Sequence, residues 1–188
     1  MGKNEHSSKI SGSLFTYFGA LFRRHDVEAV LVGGYALNAN NVQRTTFDID
    51  FMLTAGDLSR IETEILGADY FVFNRQESFV QFRSEKSGLR DVDFLLSDAH
   101  TVRSLIEQGR DVVIAGEKFY VPSPQHLIAM KVHSIAGNSA RMLKDLPDIV
   151  LLMKANSIDP NDGAIKDIFA GSKAPDLYRR VLEAMTGG

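Results

Sequence analysis

The chain has 188 residues, of which 44% are hydrophobic, so it is long enough for one packed domain with a small appendage and is not a disordered protein. It contains no cysteine, which excludes disulfides, thiolate nucleophiles and zinc sites built on cysteine. Its formal net charge of −3 excludes nucleic-acid binding through overall charge, so any such contact must come from a local patch.

The first part of the sequence mixes helix and strand patterns. Residues 8–24 are predicted to form a helix, because Leu14, Phe18 and Leu21 recur at helical spacing. The turn Lys86-Ser87-Gly88 is predicted to join two strands of a hairpin. Further helices are predicted over residues 35–41, 57–66 and 98–108, and strands over residues 28–32, 47–53, 70–73, 78–84, 89–96, 111–114 and 118–121.

After residue 122 the pattern becomes purely helical. Ser123 and Pro124 are typical of a helix start and predict a helix that runs to about residue 136. A second helix, over residues 139–155, contains Pro147, where we expect a kink or a split. Two shorter helices are predicted over residues 161–170 and 175–185.

These elements predict an α+β fold with a small mixed β-sheet and helices on one face. The sheet and its helices would form a core over residues 1–122. The helical region over residues 123–188 would pack on that core.

Two carboxylates share one face of the predicted strand over residues 47–53. Side chains two residues apart on a strand lie about 6.5–7 Å apart at Cα, and carboxylates that close repel each other. Because Mg²⁺ prefers one or two carboxylates together with substrate phosphates, the pair indicates a site for a divalent cation and a phosphate-bearing ligand. The strand alternation puts Asp48 and Asp50 on this face, and the apolar Phe47, Ile49, Phe51 and Leu53 on the other.

A glycine pair, Gly33-Gly34, stands between a predicted strand and a predicted helix. Glycine lets a backbone approach a ligand closely, and the start of the following helix offers N–H groups to phosphate oxygens. Arg44 adds a charged donor for the same anion, and Thr45 adds a hydroxyl. Alone, such a glycine pair is usually a turn, and an Asp-x-Asp is often a solvated strand face. Their combination in this order favours a nucleotide and metal site.

The stretch from Gly33 to Asp50 resembles the signature of the polymerase-β-like nucleotidyltransferase superfamily, in which Gly-Gly or Gly-Ser precedes Asp-x-Asp. More narrowly, GGYAL followed by Arg-Thr-Thr-x-Asp-Ile-Asp resembles the minimal, AbiEii-like group, which includes toxins of toxin–antitoxin systems. That group continues with a helical lysine, an arginine and a Lys-Asp pair, which are similar to Lys131, Arg141 and Lys144-Asp145.

The resemblance implies a third carboxylate on a later strand, and Asp93 or Asp91 can supply it. We prefer Asp93, because it lies nearer the centre of the strand between apolar neighbours. Lys131 and Lys144 are implied to neutralise the phosphates. For either lysine alone, a solvated helix face is the plain alternative.

The resemblance also implies a reaction. Asp48, Asp50 and Asp93 would bind Mg²⁺ or Mn²⁺, and NMP would pass from an NTP to an acceptor hydroxyl with pyrophosphate as the leaving group. Asp93 would help to deprotonate that hydroxyl.

The acceptor stays open between three hypotheses. A toxin-like enzyme would act on RNA, with tRNA as the expected acceptor and an antitoxin protein as a partner. The alternatives are an enzyme that modifies a small molecule of the aminoglycoside type, and a non-catalytic nucleotide- or protein-binding member. The sequence has neither a membrane-length apolar run nor the apolar stretch of a signal peptide, so we expect a cytoplasmic protein without membrane contact.

Overall fold

The computed structural model describes residues 13–172, 174 and 176–186, and these fall into two units. The first unit combines the described part of Met1–Gly33 with Thr46–Val121, and the second combines Gly34–Thr45 with the described part of Pro122–Gly188. The predicted domain division after residue 122 stays a prediction. The segment Gly34–Thr45 was not expected to group with the later helices.

The first unit contains a seven-stranded mixed sheet with the strand order β3-β4-β5-β2-β1-β7-β6. β2 pairs in parallel with β5, and β1 pairs in parallel with β7, whereas the other neighbours are antiparallel. The predicted α+β class with a mixed sheet is confirmed. The strands are β1 (Val30–Leu31), β2 (Ile49–Leu53), β3 (Phe71–Gln76), β4 (Phe79–Arg83), β5 (Val92–Leu96), β6 (Arg110–Ile114) and β7 (Glu117–Val121).

One face of this sheet is covered by an aromatic core that helix α1 (Leu14–Arg24) completes. Ser13 caps α1 by accepting a hydrogen bond from the Thr16 amide, and residues 8–12 of the predicted helix lie outside the described residues. The fully buried Phe51 of β2 stands at the centre of the core. Its ring contacts Phe18, Phe22, Phe94 and Phe119 at centroid distances of 5.0–5.9 Å.

The prediction that Phe47 lies on the same strand face as Ile49, Phe51 and Leu53 is wrong. The Phe47 side chain is 74% exposed, because β2 begins only at Ile49 and Phe47 lies in the preceding loop. The alternation that buries Ile49, Phe51 and Leu53 therefore begins two residues later than the sequence pattern indicated.

Two further helices belong to the first unit, α3 (Ala55–Leu66) and α4 (Ala99–Glu107). Thr54 caps α3 and Asp98 caps α4, and each side chain accepts a hydrogen bond from a backbone N–H three residues later. Both helices bury an apolar stripe, with Leu58, Ile61 and Ile65 on α3 and Val102 and Leu105 on α4.

Helix α2 (Gly33–Ala39) begins at the first of the two glycines, two residues before the predicted start, and leads into the second unit. Helix α5 (Pro124–Gly137) starts at the predicted Ser123 cap. The split predicted at Pro147 lies instead between a 3₁₀ turn over Ser139–Arg141 and α6 (Met142–Ala155). Pro147 stands early in α6, where it leaves only the carbonyl of Leu143, in the first turn, without its helical partner.

Helices α7 (Gly163–Ala170) and α8 (Leu177–Thr186) complete the second unit. They bury Ile165, Phe169, Leu177 and Val181. In the part of the chain that the structure describes, no helix has the length and apolar character needed to cross a membrane.

Candidate active site

Asp50 and Asp93 face each other across two adjacent strands. β2 and β5 are parallel, and their register pairs Asp50 with Asp93 directly. Paired positions on neighbouring strands are about 4.8 Å apart in the hydrogen-bonding direction and point to the same face. Their neighbours Phe51 and Phe94 are buried in the aromatic core, so the two carboxylates lie on the opposite face of the sheet.

The charge on Asp93 is poorly compensated. Burial raises the pKa of Asp93 to about 6, with a further increase from the negative charge of Asp50 and smaller increases from Asp48 and Asp91. A hydrogen bond from Gln81 acts in the opposite direction. The Asp93 Oδ1 atom is buried and has no hydrogen-bond partner among the described residues. A buried acceptor oxygen without a donor is costly in a folded protein, so this arrangement suits a carboxylate that binds a ligand.

Gly33 leaves the space that the Asp50 carboxylate occupies. A Cβ atom at Gly33 would stand 1.9 Å from Asp50 Oδ2, and the Gly33 backbone has φ +60°. Both the left-handed backbone and the close approach therefore require glycine. The sequence predicted that this glycine brings the backbone close to a ligand, and in the structure it brings the backbone close to a candidate ligand-binding carboxylate.

Asp48 precedes β2 and its side chain is exposed. The negative charge of Asp48 nevertheless interacts with Asp93 and contributes to the raised pKa of Asp93. The Thr46 hydroxyl donates a hydrogen bond of 3.3 Å to the Asp48 carbonyl oxygen, and Thr45 is exposed. The predicted pair Asp48 and Asp50 thus consists of one loop carboxylate and one strand carboxylate.

Asp91 differs from Asp93 in its partner. Its Oδ2 atom accepts a hydrogen bond of 3.0 Å from Arg83 Nε, and both side chains are about one-third exposed. Asp91 also lies just outside β5, where its carbonyl oxygen accepts a hydrogen bond from the Ile49 amide. The carboxylate of Asp91 is therefore compensated by a cation, unlike that of Asp93.

The carboxylates fit a divalent cation that shares its coordination with a substrate. Within residues 13–172, 174 and 176–186, no three acidic or histidine side chains converge closely enough to enclose a metal ion by themselves. Mg²⁺ rarely needs such an enclosure, because it usually binds through one or two carboxylates together with waters and substrate phosphates. The facing pair Asp50 and Asp93, with the unpartnered Oδ1 of Asp93, meets that requirement.

The second unit holds a network of ion pairs around two buried aspartates. Lys131 on α5 donates to Asp145 Oδ1 at 2.8 Å and to Asp148 Oδ2 at 2.6 Å, and its own side chain is only 13% exposed. Arg141 Nε donates to Asp145 Oδ2 at 2.7 Å. Arg44 also donates to Asp148. Burial alone would raise the pKa of Asp145, but the hydrogen bonds and charges of Arg141 and Lys131 outweigh it and lower that pKa.

The predicted phosphate-binding cations therefore have different surroundings. Arg44 and Lys131 belong to the same network and share Asp148. Lys144 is exposed, and no carboxylate in the described part of the chain lies within salt-bridge distance of it. Of the two lysines, Lys131 is the one that contacts Asp145 and Asp148.

Comparison with known proteins identifies the family of this chain. The family described as "Nucleotidyl transferase AbiEii toxin, Type IV TA system" matches residues 19–186. The chain belongs to the AbiEii nucleotidyltransferase family. No protein of curated function is significantly similar to it in sequence.

Solved structures similar to this AbiEii-family chain are nucleotidyltransferases. The antibiotic-resistance factor ANT(2'')-Ia superimposes with a TM-score of 0.60 at 15% identity, covering 93% of this chain and 96% of the other. A nucleotidyltransferase-like antigenic protein from Paracoccidioides brasiliensis gives 0.53 at 15% identity, covering 93% and 95%. The lincosamide antibiotic adenylyltransferase LnuA gives 0.54 at 15% identity, covering 80% and 99%. These likenesses establish the nucleotidyltransferase fold.

Two contacts, one in each unit, were not predicted from the sequence pattern alone. Gln81 is paired with Asp93 in the β4–β5 hairpin. Gln81 lies six residues before Ser87, the centre of the predicted turn, and Asp93 lies six residues after it. Counting outward from that turn would have paired them. Arg141 was expected from the family pattern and as a candidate for a basic surface, but not as a partner of Asp145, although their ion pair follows the i, i+4 spacing of a helix.

Proposed function

We propose that this AbiEii-family protein transfers a nucleoside monophosphate from an NTP to a hydroxyl group of an acceptor, and that Asp48, Asp50 and Asp93 are its metal-binding carboxylates. The observation that carries the proposal is the register pairing of Asp50 with Asp93, with a buried and unpartnered Asp93 Oδ1. Perturbed carboxylates of this kind concentrate at functional sites.

In the proposed reaction the acceptor oxygen forms a bond to the α-phosphorus of the NTP. The bond between that phosphorus and the oxygen bridging to the β-phosphate breaks, and pyrophosphate leaves with that oxygen. The hydroxyl proton passes to the Asp93 carboxylate or to water. Asp50 and Asp93 orient the reacting groups from adjacent strands of one sheet, which are rigid supports for a site.

Mg²⁺ or Mn²⁺, held by Asp48, Asp50 and Asp93, would neutralise the phosphates and stabilise the attacking and leaving oxygens of the displacement. This chain contributes the fixed spacing of the carboxylates and the room that Gly33 leaves for Asp50.

Arg44, Lys131, Lys144, Gly33, Gly34 and Thr45 are the proposed nucleotide-binding residues. Among these cations, Arg44 has the best support as a phosphate-binding residue. Its side chain is 26% exposed, and its guanidinium has five N–H donors, which is more than the contact with Asp148 uses. Lys131 has three donors, of which Asp145 and Asp148 occupy two. Its proposed role is therefore a secondary one, in which it holds Asp148 and so the Arg44 side chain in place.

We propose RNA, and tRNA in particular, as the acceptor. The family description as a toxin of a toxin–antitoxin system favours a target inside the producing cell over an antibiotic. ANT(2'')-Ia and LnuA, which are named for antibiotics, share the fold at 15% identity and do not identify the acceptor of this chain. A cognate antitoxin stays a prediction.

The experiment is incubation of the purified protein with Mg²⁺, total tRNA and each α-³²P-labelled NTP in turn. Label is expected on the RNA with wild-type protein and not with Asp50→Asn. Label on RNA that persists in Asp50→Asn would overturn the site. Absence of label on RNA with the wild type would instead reject RNA as the acceptor, and the same labelled NTPs would then be tested with aminoglycosides.

A further inference from the structure

Two phenylalanines on the edge strand β3 are exposed to solvent. The Phe71 side chain is 43% exposed and the Phe73 side chain is 52% exposed. β3 is the last strand on its side of the sheet and carries a register shift between Val72 and Asn74, which places Phe73 in a β-bulge. Bulges occur next to active sites, where they redirect a side chain.

An arginine lies over one of these rings. The Arg83 guanidinium carbon is 3.4 Å from the centroid of the Phe73 ring, and Arg83 is paired directly with Phe71 in the register of β3 and β4. Asp91 holds the same guanidinium through Nε at 3.0 Å. Phe71, Phe73 and Arg83 therefore form one surface, which we call the β3–β4 platform, on the sheet face that is opposite the aromatic core.

The register of the sheet connects the β3–β4 platform to the candidate catalytic carboxylates. Asn74 pairs with Gln81, Gln81 pairs with Asp93, and Asp93 pairs with Asp50. Paired residues point to the same face, so these four polar side chains form one row across β3, β4, β5 and β2. At about 4.8 Å per strand, Asp93 is about 10 Å from the β3 end of this row.

This composition fits the bases of a single-stranded nucleic acid. Exposed aromatic rings and arginine planes on a sheet face bind unpaired bases by stacking, and amides such as those of Asn74 and Gln81 hydrogen-bond to base edges. Stacking does not require a large positive charge, which agrees with the formal net charge of −3. At about 3.4 Å per stacked base along one strand, about three stacked nucleotides span the distance between the platform and Asp93.

We propose that the β3–β4 platform binds the unpaired 3′-terminal nucleotides of an RNA acceptor and thereby presents the terminal hydroxyl to Asp93. The inference rests on the proposed function for the presence of a hydroxyl acceptor. It adds the site that recognises this acceptor and the chemistry of the recognition.

The test measures binding and transfer separately in the full-length protein. Binding is followed by fluorescence anisotropy with a short 5′-fluorescein-labelled single-stranded RNA that has a free 3′-hydroxyl, in the absence of NTP. Phe71→Ala with Phe73→Ala is expected to weaken binding by roughly ten-fold to a hundred-fold, given the usual contribution of one or two stacked bases. In the transfer assay the KM for RNA is expected to rise by a similar factor, while the KM for NTP stays unchanged.

Matched variants separate stacking from general loss of apolar surface. Val113→Ala removes an apolar side chain that is 74% exposed from β6, at the other edge of the sheet, and should leave RNA binding unchanged. Phe73→Tyr should retain binding and Phe73→Leu should lose it, since only tyrosine keeps a flat ring. Thermal unfolding of each variant verifies that the fold is intact.

The outcomes distinguish the two proposals. Label transfer to RNA with equal RNA KM in wild type and the double variant would overturn the β3–β4 platform and leave the proposed function standing. Phenylalanine-dependent RNA binding without label transfer would support the platform and reject RNA transfer. Failure of the wild type to bind the RNA would overturn the platform, as would equal binding by Phe73→Leu.

Discussion

Asp93 in the first unit and Asp145 in the second are aspartates with opposite electrostatic surroundings. Asp93 is paired with another carboxylate, Asp50, and its Oδ1 atom has no partner among the described residues. Asp145 accepts hydrogen bonds from Lys131 and Arg141 and its side chain is fully buried. Consequently the pKa of Asp93 is raised, chiefly by burial and then by Asp50, whereas the cations around Asp145 overcome its burial and lower its pKa.

The difference indicates what each site does. The Asp145 network is electrostatically complete within the protein, so it contributes to stability. The Asp93 carboxylate keeps an oxygen without a partner among the described residues, and in the proposed function a cation or another ligand binds there, at a cost to the stability of the free protein. Substitutions that remove one carboxylate at a time should therefore have opposite consequences in the two sites.

The largest expected effect is on activity in the first unit. Asp93→Asn should lower kcat by at least about a thousand-fold, or roughly 4 kcal/mol of barrier, because substitution of residues that merely orient metal ligands already costs about 10–100-fold. The melting temperature without metal should stay the same or rise, since a poorly compensated buried charge is removed. The measurement combines the labelled-NTP transfer assay with thermal unfolding in EDTA.

Asp91→Asn is the matched control for Asp93→Asn. Asp91 lies two residues away, and its carboxylate is paired with Arg83 in a partly exposed position, so its loss should lower kcat less than about ten-fold, in line with the small contribution of surface pairs. If Asp91→Asn abolished transfer and Asp93→Asn did not, Asp91 would be the third carboxylate.

The second effect is on stability in the second unit. Asp145→Ala should lower the free energy of unfolding by about 3 kcal/mol, because it removes one side of a buried ion pair and leaves Lys131 with one fewer acceptor. Asp111→Ala breaks an exposed pair with Lys118 and should lower the free energy of unfolding much less, because solvent screens exposed pairs. Urea unfolding of Asp145→Ala and Asp111→Ala measures the difference between their free energies of unfolding. If both variants lost the same free energy of unfolding, the Asp145 network would not be a stabilising element.

A third, smaller effect concerns the glycine that makes room for Asp50. Gly33→Ala and Gly88→Ala both place alanine at a positive φ, but a Cβ at Gly33 would meet Asp50 whereas a Cβ at Gly88 would meet nothing within 4 Å. Gly33→Ala should therefore be less stable than Gly88→Ala by about 1–2 kcal/mol, the usual cost of overpacking. Only Gly33→Ala should lose transfer activity. Comparable activity in both variants would show that the position of Asp50 tolerates displacement.

The candidate carboxylates could be predicted in part from local patterns. Strand alternation put Asp50 and Asp93 on polar faces, and the turn at Ser87 indicated the β4–β5 hairpin. The direct pairing of Asp50 with Asp93 could not be predicted, because β2 and β5 are parallel and distant in sequence. No local turn determines the register of such a pair.

The errors have equally specific causes. Alternation continues through Phe47 although β2 begins at Ile49, since the period of a strand does not mark where pairing starts. Lys131 and Lys144 are both helical lysines in the sequence, and only packing shows that Lys131 faces Asp145 and Asp148 while Lys144 faces solvent. Tertiary contacts decide both cases.

The smallest expected effect is the pH dependence of the Asp145 network. The pKa of Asp145 is lowered in the folded protein, so the unfolded chain binds a proton there first as the pH falls. The stabilisation by this carboxylate is therefore complete above the ordinary aspartate pKa of about 4 and is lost as the pH falls through the lower folded pKa.

Urea unfolding of wild type and Asp145→Ala at about pH 7, 4 and 3 tests this sign. The stability difference between the two proteins should be constant from neutral pH to about pH 5 and then decrease by up to about 1.4 kcal/mol for each pH unit. Asp148, which shares Lys131 with Asp145, is present in both proteins, so the difference reports on Asp145 together with its coupling to Asp148. If the stability difference between wild type and Asp145→Ala stayed constant to about pH 3, Asp145 would stabilise the fold through packing and not through its charge. The contrast between Asp93 and Asp145 would then be one of access to ligands and not of electrostatic compensation.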